Sequence, residues 1–137
     1  MAAVGVVFLT LVATLAELKA SNHPKASSCN LLEWLDLVAL GTVCDVVPLK
    51  GLNRAYITKG LVAIRHGQNP GLNALMKTAR LNSPANAYHL GFLIGPRINA
   101  GGRIGDASLG ARLLTMQDAV EAEEIAVQLD DLNKQRQ

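Results

Sequence analysis

The sequence predicts a mainly α-helical chain, with helices joined by irregular loops. Three observations predict it. Apolar residues recur at helical spacing in window after window along the 137 residues. Breaks containing proline or glycine, such as Asn69-Pro70-Gly71 and Gly95-Pro96, separate those windows. Aromatic residues make up only 4% of the chain, whereas sandwich and barrel strands lean on aromatic and β-branched residues. With 50% hydrophobic and 18% charged residues, the composition excludes disorder and collagen-like repeats. The length suits a single domain, and the high apolar share suits a chain with some core faces left uncovered.

Each element follows in order. Val4 to Lys19 reads as an apolar helix with a polar end at Glu17 and Lys19. It lacks the basic start of a signal peptide and is short for a membrane span, so a buried helix is expected. Residues 21–30 form a loop broken by Pro24. Leu31 to Cys44 is apolar nearly all round and reads as a buried helix, or a helix running into a strand, ended by Pro48. Asn53 to His66 is helical. A short helix follows the 69–71 turn, from Gly71 to Arg80. Ser83-Pro84 reads as a helix start, and Gly95-Pro96 as its stop. Glycines crowd Ile98–Gly105, which predicts no regular helix there. Asp106 can cap a short helix to Leu114. Thr115 and Asp118 resemble a capping box for a last helix from Met116 towards Gln137, with Val120, Ala122, Ile125, Ala126, Leu129 and Leu132 on its apolar stripe. No stop signal follows, which suggests a continuing connection.

Charge and reactive side chains narrow the function. The cysteines, Cys29 and Cys44, form no CxxC pair, and no histidines stand at HxxxH spacing. A reduced, cytoplasmic chain without disulfides or a zinc site is expected. Cys44 is expected to be small and buried. The net charge of +2 hides an uneven distribution. Lys50, Arg54, Lys59, Arg65, Lys77, Arg80, Arg97, Arg103 and Arg112 fall in a span whose sole acidic residue is Asp106. Such a span suits a polyanion, although scattered solvated faces would look the same.

Two constellations could carry chemistry. Asp45 sits in the apolar run Val43-Cys44-Asp45-Val46-Val47. A buried ionised carboxylate there would be costly unless paired or on a metal. As a hard oxygen donor it suits Mg²⁺ or Mn²⁺, but a helix cap, or an ion pair with Arg54, accounts for it as well. The second is Gly95-Pro96-Arg97-Ile98-Asn99-Ala100-Gly101-Gly102-Arg103-Ile104-Gly105. Glycines free backbone N–H groups, and arginine forks match phosphate oxygens. A phosphate clamp and a tight packing loop are both open readings. No P-loop and no Ser-His-Asp or Cys-His arrangement can be read from the spacing.

The segments LDLVALGTVCDVVPLKGLNR (35–54), GPRINAGGRIGDASLGARLLT (95–115) and LDDLNKQRQ (129–137) together resemble the RecJ family of single-stranded-DNA exonucleases, within the DHH phosphoesterase superfamily. The opening AAVGVVFLTLVATL resembles the family helix that follows its Asp-His-His motif. Cys44 and Gly101 stand where the family often has alanine.

The resemblance implies a mainly helical piece of an α/β DHH domain. Residues 1–115 would be the later part of the catalytic core, and 116–137 the start of a helix leading to a second domain. It implies a metal-dependent exonuclease that degrades single-stranded DNA from its 5′ end, in DNA repair and recombination. Asp45 would hold one Mn²⁺ or Mg²⁺ ion, while Arg103, Asn99 and Arg97 would hold phosphate. The family's Asp-x-Asp and Asp-His-His segments are not in this sequence. The isolated chain is therefore expected to be inactive, to bind no metal tightly, to have no membrane partner and to self-associate through apolar faces. A non-enzymatic helical interaction domain, or a DHH phosphoesterase acting on small nucleotides, are the alternatives.

Overall fold

The computed structural model describes residues 1–136, and among them every regular element is a helix or a helical turn. Gln137, the end of the expected last helix, lies outside the described residues. The chain divides into two compact units, Met1–Ala63 and Ile64–Gln137.

The first unit is built on α1 (Ala3–Ala20), α2 (Leu35–Cys44) and most of α3 (Leu52–His66). Helix α1 packs on α2 and on the 3₁₀ turn Ala26–Ser28. A second 3₁₀ turn, Leu31–Trp34, leads into α2, so the expected 31–44 helix begins in a tighter form. The core gathers Phe8, Leu31, Leu35, Val38 and Tyr56. Phe8 and Tyr56 meet edge to face at 5.6 Å. The Tyr56 hydroxyl donates to the Gly5 carbonyl at 3.0 Å, which satisfies a buried polar tip. Gly60 lets α3 approach the Leu35 carbonyl so closely that no Cβ would fit.

Helix α1 differs from the expectation of burial. Only Gly5 and Phe8 are buried, and Val6, Val7, Leu9, Val12 and Leu18 are exposed. The helix is apolar all round, so one packed stripe leaves the rest of its surface bare. By length and composition alone it is also long and apolar enough to cross a membrane.

The second unit contains α4 (Pro70–Thr78), α5 (Ala87–His89), α6 (Gly95–Ala100), α7 (Ser108–Thr115) and α8 (Ala119–Lys134). Asn69 caps α4 by accepting from the Leu72 N–H at 3.0 Å. Helix α8 packs along α4 and α6 and also touches α7. Leu72, Leu75, Leu90, Ile94, Leu113 and Leu129 fill the core almost without exposure. The α8 stripe is as expected at Ala122, Ile125, Ala126 and Leu129, with Leu132 half-buried, but Val120 is 69% exposed.

Several boundaries shift. The helix expected at Ser83-Pro84 starts at Ala87, because Asn86 and His89 exchange reciprocal hydrogen bonds as a capping box. It does not stop at Gly95-Pro96. A π turn, Leu90–Ile94, carries the chain directly into α6, where proline in the first turn needs no N–H partner. The glycine-rich stretch is helical as well. Ile98–Ala100 belongs to α6, and Gly101–Ile104 forms a 3₁₀ turn. The stop comes at Gly105, with φ +85°. Asp106 does not cap α7 with its side chain but accepts from the Ser108 hydroxyl at 2.6 Å. Thr115 ends α7, and Asp118 caps α8 by accepting from Val120 and Glu121 N–H groups.

Candidate nucleic-acid and metal-ligand site

Asp45 stands at the C-terminal end of α2, where its N–H donates to the Gly41 carbonyl at 3.0 Å. It is exposed, so the burial cost expected from its apolar neighbours does not arise. Helix α2 ends there, before those neighbours can enclose the carboxylate. Cys44, expected to be buried, is exposed for the same reason. Arg54 forms no ion pair with Asp45. Its Nε donates instead to the Leu49 carbonyl at 3.1 Å.

The loop after Asp45 is braced from the first turn of α3. Asn53 Nδ2 donates to the Pro48 carbonyl at 2.9 Å, one residue from the Arg54 contact. The Asn53 Oδ1 is buried and without a hydrogen-bond partner among the described residues. Val46 adopts φ +54° while 87% exposed. A β-branched residue in that region costs about 1–3 kcal/mol and persists only where the surroundings impose it. Sequence reasoning missed Asn53. Its sequence signal is an amide directly before Arg54, which is too common to single out.

In the second unit, Arg97 is only 14% exposed at its side chain. Its Nε donates to Asp130 Oδ1 at 2.9 Å and its Nη1 to the Leu93 carbonyl at 2.8 Å. Lys134 reaches the other carboxylate oxygen, Oδ2, at 2.6 Å. Burial alone would raise the Asp130 pKa, but the hydrogen bonds and charges of Lys134 and Arg97 outweigh it and hold the carboxyl below its usual value. Arg97 is thus a strut between α6 and α8, with two of its donors committed. This differs from the open phosphate fork expected of it.

Asn99 and Arg103 are different. Both are exposed, and among the described residues neither side chain has a hydrogen bond or ion pair. Asn99 lies on α6 and Arg103 on the 3₁₀ turn that continues it. Their donors are available to an anion. The wider basic span is partly occupied: Lys77 pairs with Glu123 at 2.7 Å, and Arg65 donates to the Ala85 carbonyl at 3.0 Å.

The donor set bears on the implied metal. Among the described residues, no three His, Cys, Asp or Glu side chains come together as a metal site. A lone exposed carboxylate binds a hard divalent cation weakly, since such ions take six or more oxygen ligands. These residues therefore do not make a metal centre by themselves.

No family model matches the chain. Curated proteins do. The chain is 44% identical over 141 aligned residues to the single-stranded-DNA-specific exonuclease RecJ of Dickeya dadantii, and 42% identical to that of Escherichia coli. Each alignment covers 99% of this chain. The RecJ of Thermus thermophilus is 42% identical over 77% of the chain. The chain spans about a quarter (24%) of the length of the first two relatives. Crystal structures of the Thermus thermophilus RecJ with Mg²⁺ and with Mn²⁺ match the fold with a TM-score of 0.71 and 41% identity, over 77% of this chain and 17% or 16% of theirs.

Proposed function

The chain belongs to the RecJ family as a stretch of about a quarter of its relatives' length, and from that premise we propose that it forms part of a metal-dependent exonuclease of single-stranded DNA. The observation that carries this reading is 44% identity, over 99% of the chain, to a single-stranded-DNA-specific exonuclease. Its helical fold, matched within the Mg²⁺ and Mn²⁺ structures, agrees with it. The reading extends to degradation from the 5′ end and to DNA repair and recombination in the cytoplasm.

The residues take separate roles in this reading. Asp45 contributes one carboxylate to a Mn²⁺ or Mg²⁺ centre whose other ligands come from sequence outside these 137 residues. Such a metal, when bound, supplies water activation and charge stabilisation for phosphodiester hydrolysis. The braced loop 46–50 holds Asp45 at the end of α2. Arg103 offers its guanidinium, and Asn99 its amide, to phosphate oxygens of the strand. Arg97 holds the helix that carries Asn99 in place. Residues 116–137 lead towards a further domain.

The test uses the intact exonuclease that contains this stretch. Asp45→Ala is expected to abolish Mn²⁺-dependent digestion of a 5′-labelled single strand while leaving the far-UV helix signal unchanged. Arg103→Ala should lower digestion at least tenfold with little loss of stability. Full digestion by Asp45→Ala would overturn the metal role, and equal losses of activity and stability in Arg103→Ala would make that arginine a packing residue. The 137-residue chain alone is expected to show no digestion.

A further inference from the structure

Helix α6 is too short to hold itself. It has six residues, Gly95–Ala100, and no side-chain cap, with Gly101 and Gly102 directly after it. Isolated helices below roughly 12–15 residues are marginal in water, so contacts from elsewhere set its orientation. Apolar burial is non-directional. The directional contact on α6 is the charged one.

Arg97 makes that contact. Its Nε donates to Asp130 Oδ1 on α8 at 2.9 Å, and its Nη1 to the Leu93 carbonyl in the π turn at 2.8 Å. The planar guanidinium is thereby fixed from two sides. Asp130 is equally committed, since Lys134 takes its Oδ2 at 2.6 Å. With both oxygens taken and the residue 4% exposed, Asp130 acts through Arg97 rather than on a ligand. Against apolar residues of similar volume a buried ion pair gives little net stability, whereas its geometry admits one arrangement.

The arrangement matters for what the other face of α6 carries. Asn99 follows Arg97 by two residues, about 200° around the helix at 3.6 residues per turn. Arg97 accordingly meets α8, and Asn99 is exposed. The 3₁₀ turn bearing Arg103 continues directly from α6. Rotation of α6 about its axis would therefore move both side chains.

We propose that Asp130 is a positioning residue for the phosphate-holding side chains: by fixing Arg97 it sets the rotation of α6, and with it where Asn99 and Arg103 present their donors to a single strand. This rests on the phosphate role given above and adds the residue that sets its geometry. The sign of the effect separates positioning from simple electrostatics. Asp130 is negative and also neutralises Lys134, so its replacement by a neutral residue would strengthen the hold on a polyanion if only the field mattered. Loss of position weakens that hold.

The test is fluorescence anisotropy of the intact exonuclease with a labelled oligothymidylate, in EDTA so that the strand stays whole. Asp130→Asn is expected to weaken binding roughly fivefold, and Asn99→Ala with Arg103→Ala roughly tenfold, at low salt. Adding Asp130→Asn to that pair should change the affinity by less than about twofold, because residues acting through one another are not additive. Circular dichroism follows the helix signal of each variant. If Asp130→Asn loses it, Arg97→Lys decides: it keeps the charge opposite Asp130 but not the fork to Leu93, and is expected to bind more weakly than the parent. Parent-like or tighter binding by Asp130→Asn, or by Arg97→Lys in its place, overturns the positioning role and leaves the phosphate role standing. So does a loss that adds in full to that of the Asn99 and Arg103 pair. Parent-like affinity of the Asn99 and Arg103 pair variant overturns the phosphate role, and the positioning role with it.

Discussion

Arg97 and Asp130 join α6 to α8 through a charged contact that excludes most water, with side chains 14% and 6% exposed. Removing one partner of such a pair leaves the other charge buried. Arg97→Ala is therefore expected to lower stability by about 3 kcal/mol at pH 7, softened by Lys134 on the same carboxylate. Asp130 titrates below its usual 3.8. Its contribution is present in full above that value and is lost as pH falls through the lower native pKa. Urea melts at pH 7 and pH 3 should show the difference between Arg97→Ala and the parent chain shrinking on acidification. Asp36 acts in the opposite sense. Burial raises its pKa, against the lowering effect of the Leu37 N–H. Its cost is present near neutrality and is relieved as pH falls.

At the scale of elements, glycines decide which helices can touch. A Cβ on Gly71 would run into the Leu113 carbonyl, so α4 meets α7 backbone to backbone. Gly71→Ala should cost roughly 1–3 kcal/mol, because the obstacle is backbone that cannot rotate away. A Cβ on Gly102 would meet only the Ala107 methyl at 3.8 Å. Gly102→Ala should leave the chain as stable or raise it by about 0.5 kcal/mol, through a less flexible unfolded state. Thermal melts should show Gly71→Ala unfolding below the parent chain and Gly102→Ala no lower than it. Gly101 is the instructive neighbour. A Cβ there would stand 2.6 Å from the Asp106 carbonyl. The packing of the 101–106 turn explains why glycine suits this sequence.

At the scale of the whole molecule, the expectation of uncovered core faces is met by α1. Val6 and Val7 are more than half exposed, although the helix has polar side chains at Thr10, Thr14, Glu17 and Lys19. Such surfaces favour association. Sedimentation velocity should show concentration-dependent self-association of the 137-residue chain. Glutamate at Val7 and Val12 should shift it towards monomer without loss of helix signal. A parent chain that stays monomeric across the range would show that these faces do not drive association.

Helical class, the 70–78 helix and the α8 stripe were legible in the sequence, because each rests on spacing and composition within a few turns. Asp45 was legible as a candidate for the same reason: it interrupts an apolar run. What each side chain does was settled only by packing. Arg97 and Arg103 have the same side-chain chemistry and are six residues apart. One meets a buried carboxylate from α8, 33 residues further on, and the other stays available. The π turn that carries α5 past Pro96 and the exposure of Asp45 are also tertiary outcomes. Local sequence sets what a segment can form, while the burial and partners of a polar group depend on chain brought in from far along the sequence.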